Sequence, residues 1–313
     1  MTALRLLVHA SAWEAPDIRS YELRQPTGGV LPAFTAGAHV DLTLPSGLVR
    51  SYSLVNSQTE RHRYVIAIQK DRASRGGSRW LHDNLRVGDL LNVAGPRNNF
   101  ALDETAPHSV LIAGGIGITP IVSMIDRLEA LDRSWELVYC ARKRAGAAFL
   151  AVLDGKPRVR CNYDEEPGGR MLDILAVVAA APADAHFYCC GPLQMLETFE
   201  RVTRHLPREC VHVEYFSAKE APAREGGFTL VLTKSGREVA VPAGKTILDA
   251  LKDVGINVAH SCTEGICGTC ETRVVEGTPD HRDLILTPEE RAANKTMMVC
   301  CSGSKSERLV LEL

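Results

Sequence analysis

The 313-residue chain has no surplus of charge: 36 Lys and Arg stand against 38 Asp and Glu, a formal net charge of −2. Nucleic acid and membrane surfaces, which are held by a clear excess of cations, are therefore excluded as main partners. No apolar run approaches the roughly 20 residues of a membrane span. The segment MTALRLLVHASAWEAP has only a short apolar patch, broken by His9, and makes a poor export signal. No internal repeat or low-complexity tract stands out. Ten cysteines without an export signal point instead to a reducing compartment, the cytoplasm, where clustered thiols bind metal or do redox work. Hydrophobic residues at 45% and charged residues at 24% are ordinary for a globular protein, and the length allows two or three domains, each with its own core.

Up to about residue 103 the pattern is of short alternating runs, RLLVHASAW, GAHVDLTL, RSYSLVN, RYVIAIQK and DLLNVAG, punctuated by Gly, Pro, Asn and Asp. This predicts a small antiparallel barrel, with one helix at SRWLHDNLRV. From 104 to 220 the apolar strand SVLIA leads through GGIGITP into the helix PIVSMIDRLEAL. WELVYCA, VRCNYD, AHFYCC and VHVEYF follow as strands, with helices MLDILAVVAAA and LQMLETFERVTRHL between them. Strand and helix in alternation predict a doubly wound parallel sheet. SAKEAPAREGG (217–227) has the composition of a linker. From 226 to 313 a hairpin around Ser235–Gly236, the helix TILDALKDVG, a cysteine loop and the strands TRVVEG, MMVCCS and ERLVLEL resemble the β-grasp fold of plant-type ferredoxins.

The cysteine loop HSCTEGICGTC carries Cys262, Cys267 and Cys270 as C-x4-C-x2-C, with Cys300 and Cys301 further on. This is the plant-type spacing of a [2Fe–2S] cluster, which needs four thiolates, two per iron. Gly265 and Gly268 let the backbone curl and aim N–H groups at sulfur. A structural zinc is the alternative, but such sites usually use paired C-x2-C knuckles and only one pair is present. MMVCCS reads as a strand, in which neighbouring side chains point to opposite faces, so only one of Cys300 and Cys301 can face the cluster.

Two further motifs bear on phosphate binding. RSYSL places Arg50, Ser51, Tyr52 and Ser53 on a barrel strand, and Gly76, Gly77 and Ser78 precede a helix. A guanidinium fork and a helix N-terminus both suit a phosphate. In GGIGITP, the residues Gly114, Gly115, Gly117, Thr119 and Pro120 open a helix after an apolar strand. The CGP turn, Cys190, Gly191 and Pro192, closes a later strand. Both turns fall at strand carboxyl ends, where open α/β sheets bind ligands.

The order R-x-Y-S, GGIGITP, CGP and C-x4-C-x2-C…C resembles the phthalate dioxygenase reductase family over essentially the whole chain. The resemblance implies a three-domain, NADH-dependent oxidoreductase: an FMN barrel (1–103), a nicotinamide domain (104–220) and a [2Fe–2S] ferredoxin domain (226–313). Electrons would pass from NADH through FMN and the cluster to a Rieske-type oxygenase docked transiently on a monomeric reductase. It also implies that Ile68, Gln69 and Lys70 border the flavin and that Phe216 covers its ring. Ser53, Thr119, Cys190 and Phe216 would then stand at the hydride-transfer centre, and Cys300, which follows M-V, takes the family's ligand position. The C-terminal place of the ferredoxin domain favours FMN over FAD. Two rival readings are a reductase for a flavin-dependent or haem monooxygenase and a zinc-stabilised binding module. Arg142, Lys143 and Arg144 follow the second strand where an acidic residue often selects NAD, so the basic run could instead accept the 2′-phosphate of NADPH.

Overall fold

The computed structural model describes residues 4–71 and 76–313; Ser74 and Arg75, which open the SRGGSRWL segment, lie outside them. Two compact units divide the chain, Met1–Glu214 and Tyr215–Leu313.

The first unit begins with strands β1 (Leu4–Ala15), β2 (Ile18–Arg24), β3 (His39–Thr43), β4 (Val49–Ser53) and β5 (Tyr64–Gln69). Helix α1 (Gly77–Asn84) and β6 (Leu90–Arg97) follow. All pairs are antiparallel, in the order β4-β3-β6-β1-β2-β5. A bridge between Leu54 and Ile66 brings the two edge strands together and closes the barrel. β2, IRSYELR, is absent from the sequence-derived strands because its polar and apolar residues do not alternate cleanly. Pairing on both sides, to β1 and β5, is what makes it a strand.

Within the same unit follow β7 (His108–Gly114), α2 (Ile118–Ala130), β8 (Ser134–Ala141), α3 (Leu150–Leu153) and β9 (Val159–Tyr163). The unit ends with α4 (Ile174–Ala180), β10 (His186–Cys190), α5 (Leu193–Thr203) and β11 (Val211–Glu214). The sheet is wholly parallel, in the order β11-β10-β7-β8-β9. It is doubly wound, with its switch point between β7 and β10, and β7 is buried over Ser109–Gly114 because both faces are covered. Helix α4 is shorter than MLDILAVVAAA suggests because the Asp173 carboxylate accepts the Ala176 N–H and caps it there. Ala15, Ile18 and Phe100 of the barrel unit share one hydrophobic cluster with Leu111 and Tyr139 of the parallel sheet and Ile121 of α2.

The second unit contains β12 (Phe228–Leu232), β13 (Glu238–Val241), α6 (Ile247–Asp253), β14 (Glu271–Glu276), β15 (Pro279–Asp280), α7 (Pro288–Ala293), β16 (Thr296–Met298), β17 (Gly303–Ser304) and β18 (Arg308–Leu311). Its main sheet runs β13-β12-β18-β14-β16, with β12 and β18 parallel and β15 paired to β17 in a small ribbon. This is a β-grasp fold. Helix α6 starts with a capping box in which Thr246 and Asp249 satisfy each other's backbone N–H groups. The MMVCCS expectation needs correction. β16 ends at Met298, and Val299–Cys301 form a turn in which the N–H groups of Cys301 and Ser302 both donate to the Met298 carbonyl, at 3.2 and 3.0 Å.

Candidate functional site

On β4, Arg50 and Tyr52 lie on one side of the strand and Ser51 and Ser53 on the other. The Ser51 hydroxyl donates to Asp41 at 2.7 Å, and Asp41 also takes Arg97 at 2.5 Å, so that hydroxyl is held by the barrel's own buried ion pair. Arg50 lies across the start of α1. A Cβ on Gly77 would come within 2.7 Å of its Nε and 2.8 Å of its Cγ. Gly76, left-handed at φ 100°, turns the chain into the helix, and no side chain caps that end. Guanidinium and helix N-terminus therefore share one electropositive corner, a cradle a Cβ would fill, and it suits a phosphate. The Ser78 hydroxyl accepts the Asp71 N–H at 3.2 Å. Tyr52 is half-buried and its hydroxyl is pushed up by burial.

Ile68 and Gln69 end β5 and Lys70 follows it, and the three differ in what they offer. The Ile68 side chain is fully buried in the barrel core and its carbonyl meets His82 Nε2 at 2.8 Å. Gln69 is exposed, while Lys70 pairs with Asp83 at 2.6 Å.

The two glycine turns meet at the switch point. A Cβ on Gly117 would lie 2.2 Å from the Cys190 carbonyl oxygen, and one on Gly114 would lie 2.6 Å from Pro192 Cδ. A Cβ on Gly191 would lie 2.8 Å from Met195 Sδ. Gly115 and Gly117 bound a single 3-10 turn that feeds α2. Thr119 and Pro120 are buried, and the Thr119 hydroxyl donates to the Ile116 carbonyl at 2.9 Å, which fixes the turn.

Sequence reasoning missed Glu214, the last residue of β11. Cys190 Sγ lies 3.9 Å from its Oε2, and the Ser53 hydroxyl stands beside the same carboxyl. Ser53 Oγ is buried with no partner in standard hydrogen-bond geometry, yet it still helps hold the carboxyl's charged form. Glu214 keeps some exposed surface, but its carboxyl is deep enough that burial pushes it up to about 8, against which Ser53 and Cys190 pull it down. The Cys190 thiol is itself pushed up by burial and stays protonated. Three polar groups from three strands thus converge within the first unit. The only signal available in the sequence was one acidic residue in an otherwise apolar strand, VHVEYF. Phe216, two residues beyond β11 and 40% exposed, belongs to the second unit.

The cysteine loop is held from behind. Leu284 N–H donates to the Gly265 carbonyl at 2.8 Å, and a Cβ on Gly265 (φ 73°) would collide with Cys301 Sγ at 2.5 Å and Asp283 Cα at 2.9 Å. Asp283, buried, accepts the N–H groups of Ile285 and Leu286 at 3.1 and 2.7 Å and so shapes the supporting loop. Cys262, Cys267, Cys270 and Cys300 are all buried. The Glu264 N–H donates to Cys262 Sγ at 3.3 Å, and those of Ile266 and Cys267 aim at the same sulfur. Cys262 is pulled down to about 3, first by its hydrogen bond with Cys267 and then by Cys300. Cys270 is also pulled down, first by Cys300, while Cys267 and Cys300 are pushed up as the donors of those bonds. Among the described residues no three Cys, His, Asp or Glu are disposed as ligands of a single ion. The fit to a two-iron cluster therefore rests on the donor set: four buried thiols linked in the order Cys267–Cys262–Cys300–Cys270, with backbone N–H groups turned toward the Cys262 sulfur. Cys300 reaches Cys262 and Cys270, whereas Cys301 Sγ turns to the Met298 carbonyl at 3.7 Å. The ten cysteines are all free.

A 2Fe-2S iron-sulfur cluster binding domain family matches residues 230–304. Phenoxybenzoate dioxygenase subunit beta of Ectopseudomonas oleovorans is 55% identical over 100% of this chain and 98% of its own length. Tetrachlorobenzoquinone reductase of Sphingobium chlorophenolicum is 53% identical over 96% of this chain and 94% of its own. The solved structure of phthalate dioxygenase reductase, a modular structure for electron transfer from pyridine nucleotides to [2Fe–2S], matches with a TM-score of 0.77 and 40% identity over 99% of this chain and 98% of its own. An intact type IV self-sufficient cytochrome P450 monooxygenase matches with a TM-score of 0.88 and 42% identity over 99% of this chain, which spans only 41% of that longer one. The class is thus defined: an oxidoreductase that joins a flavin barrel and a nicotinamide α/β sheet to a [2Fe–2S] ferredoxin domain. Within it, the chain belongs to the phthalate dioxygenase reductase family.

Proposed function

We propose that the protein takes reducing equivalents from NADH and delivers them singly, through FMN and a [2Fe–2S] cluster, to a Rieske-type oxygenase component. The proposed division of labour is a flavin domain over 1–103, a nucleotide domain over 104–220 and a cluster domain over 226–313. When bound, FMN converts a two-electron donor into one-electron steps that the cluster passes on. The remaining work belongs to the chain. Arg50 and the N–H groups of Gly77 and Ser78 hold the flavin phosphate; Tyr52 offers its ring face to the isoalloxazine, and Gln69 and Lys70 border it. The turns at Gly114–Gly117 and Cys190–Pro192 cradle the nucleotide phosphates. Ser53, Cys190 and Glu214 line the place where nicotinamide and flavin would meet. Because Glu214 is pushed up to about 8, it holds its proton at neutral pH and keeps negative charge away from a departing hydride. Cys262, Cys267, Cys270 and Cys300 ligate the cluster.

The observation that carries this reading is the meeting of Ser53, Cys190 and Glu214 in one unit that also contains the Arg50–Gly77 corner. The names of the relatives support an oxygenase as acceptor. The quinone reductase among them favours a second reading, direct delivery of electrons to a quinone. Among the described residues no helix is long and apolar enough to cross a membrane, which is compatible with a cytoplasmic monomer. An absorption spectrum with anaerobic NADH titration tests the chain of carriers. Flavin and iron–sulfur bands should bleach together with uptake of about three electrons per chain. Acid release should yield FMN, and FAD in its place would refute that assignment. Reconstitution with oxygenase components, set against quinone reduction, separates the two acceptors.

A further inference from the structure

Residues 221–227, part of a stretch whose composition reads as a linker, are fastened to the ferredoxin unit. The Ala223 N–H donates to the Cys301 carbonyl at 2.7 Å, the Gly244 N–H to the Arg224 carbonyl at 2.7 Å and the Gly227 N–H to the Val241 carbonyl at 2.8 Å. Arg224 Nη1 adds a bond to the Gly244 carbonyl at 2.8 Å. Ala223 is buried, and Gly303 makes room for it: a Cβ there would lie 2.8 Å from that of Ala223. Arg282 grips the same segment. Its Nη2 donates to Glu225 Oε1 at 2.8 Å and its Nη1 to the Ala221 carbonyl at 3.4 Å, while its Nε holds Asp280 Oδ2 of β15 at 3.0 Å. Arg224 and Glu225 are exposed, and a cavity of about 210 Å³ lined by Ala223, Glu225, Phe228, Ile247 and Arg282 lies alongside. Polar contacts, more than packing, hold this strap down.

We infer that Arg282 is a positioning residue for the cluster ligand Cys300: by gripping residues 221–225 it keeps the Ala223 N–H on the Cys301 carbonyl and so fixes the turn that presents Cys300. The inference rests on the reading of Cys300 as a ligand proposed above. That turn has few other supports. The Met298 carbonyl takes two of its N–H groups, the Leu248 N–H donates to the Val299 carbonyl at 3.0 Å, and the Arg282 N–H donates to Ser302 Oγ at 3.3 Å. Arg282 thus holds the turn twice, once through its own backbone and once through the strap. Arginine suits the task, because its planar fork presents several donors in fixed directions. One guanidinium can therefore join Asp280, Glu225 and a backbone carbonyl, which a lysine's point charge could not. The pair with the exposed Glu225 is weak on its own; the segment is held by the sum of these bonds. Cys301 and Ser302 are fully buried behind the turn, and solvent access is one of the levers on an iron–sulfur potential.

The test compares the full chain, loaded with flavin and cluster, as wild type, Arg282→Ala and Ala223→Pro; the second variant removes the strap's N–H and leaves Arg282 intact. Trypsin cleavage after Arg224, normalised to the unfolded chain and read by mass spectrometry of the fragment beginning at Glu225, reports on the strap. It should run at least about tenfold faster in both variants, as loss of a charge-assisted or buried hydrogen bond implies. The electron paramagnetic resonance signal of the reduced cluster should change shape. The cluster potential should rise enough to shift the flavin–cluster electron equilibrium about tenfold, or about 59 mV for one electron, because admitted water favours the more negative reduced form. Faster cleavage with wild-type resonance and potential would make the segment a mere tether, and unchanged cleavage in Arg282→Ala would remove Arg282 from the role; either result overturns the inference. If Arg282→Ala does not retain iron, Ala223→Pro decides: a shifted signal upholds the inference, while an unshifted one, or an unfolded unit, shows a structural role and overturns it. A wild type without iron–sulfur bands would refute the cysteine ligation itself, and this inference with it. Normal wild-type bands with unmoved variants refute the inference alone.

Discussion

Glu214→Gln keeps the shape of the side chain at the centre of the first unit but removes its titration. The ordinary value of 4.5 for this carboxyl is pushed up to about 8 by burial. Between those two values the folded protein holds a proton that the unfolded chain has released, so stability must fall as pH rises from about 4.5 to about 8 and level off above. The gap of some 3.5 pKa units sets a ceiling of about 5 kcal/mol at 1.36 kcal/mol per unit; relaxation around a half-buried residue brings the expected effect nearer 2 kcal/mol. Thermal melts of wild type and variant from pH 5 to 9 measure this. The variant should gain on the wild type by several degrees as the pH is raised. Activity gives an independent reading: the wild-type kcat/KM for NADH should decline above about pH 8, where a buried negative charge appears beside the hydride path, and the variant should lack that limb. Parallel melting curves together with an unchanged pH–rate profile would show that Glu214 is ionised throughout, and the reasoning would be wrong.

Other expectations follow from the same geometry. Arg50→Ala and Gly77→Ala should both lose flavin while keeping the cluster, the first by removing the guanidinium and the second by displacing it with a Cβ 2.7 Å from Nε; flavin-to-iron ratios after gel filtration decide this. Gly117→Ala forces a Cβ to 2.2 Å from a backbone carbonyl oxygen and should cost about 1–3 kcal/mol or more, seen as a lowered Tm of the first unit with the iron–sulfur bands intact. Cys300→Ser should bleach the cluster and stop cytochrome c reduction while ferricyanide reduction persists, and Cys301→Ser should retain both activities. Exchange of those two phenotypes would mean that Cys301 is the ligand.

Much of this architecture could be read from residue patterns because the signals were strong and local. SVLIA is apolar without interruption, as a strand covered on both faces must be, and the glycines of GGIGITP mark the close approach to Cys190. The cysteine spacing carries its own chemistry. The failures share a cause: they depend on contacts between distant segments. Strand alternation was expected to let only one of Cys300 and Cys301 face the cluster, and the place of Cys300 after M-V, matching the family's position, chose it. In fact the strand ends at Met298 and both thiols turn inward, so what separates them is that Cys300 touches Cys262 and Cys270 while Cys301 packs behind Gly265. Glu214 could not be singled out because nothing near it in sequence shows that Ser53, far upstream, stands beside it. Ile68 was named together with Gln69 and Lys70, yet its side chain is consumed by the barrel core, and adjacency to a motif does not reveal which way a strand residue faces.

The position of β18 has a consequence for how the protein is made. Its four residues, Arg308–Leu311, lie at the centre of the ferredoxin sheet, between β12 and β14. During synthesis the strand that opens this sheet emerges some eighty residues before its partner, and Leu230 and Leu232 have no parallel neighbour until Leu309 and Leu311 leave the ribosome. The cysteine loop is translated in that interval, ahead of the sheet that supports it. The sheet behind the cysteine loop is therefore complete only once β18 has been made, and stable loading of a cluster must wait at least until then. A cut before β18 that removed Arg308–Leu311 would take out the middle strand of the sheet, and would cost this unit its fold and with it the outlet for electrons.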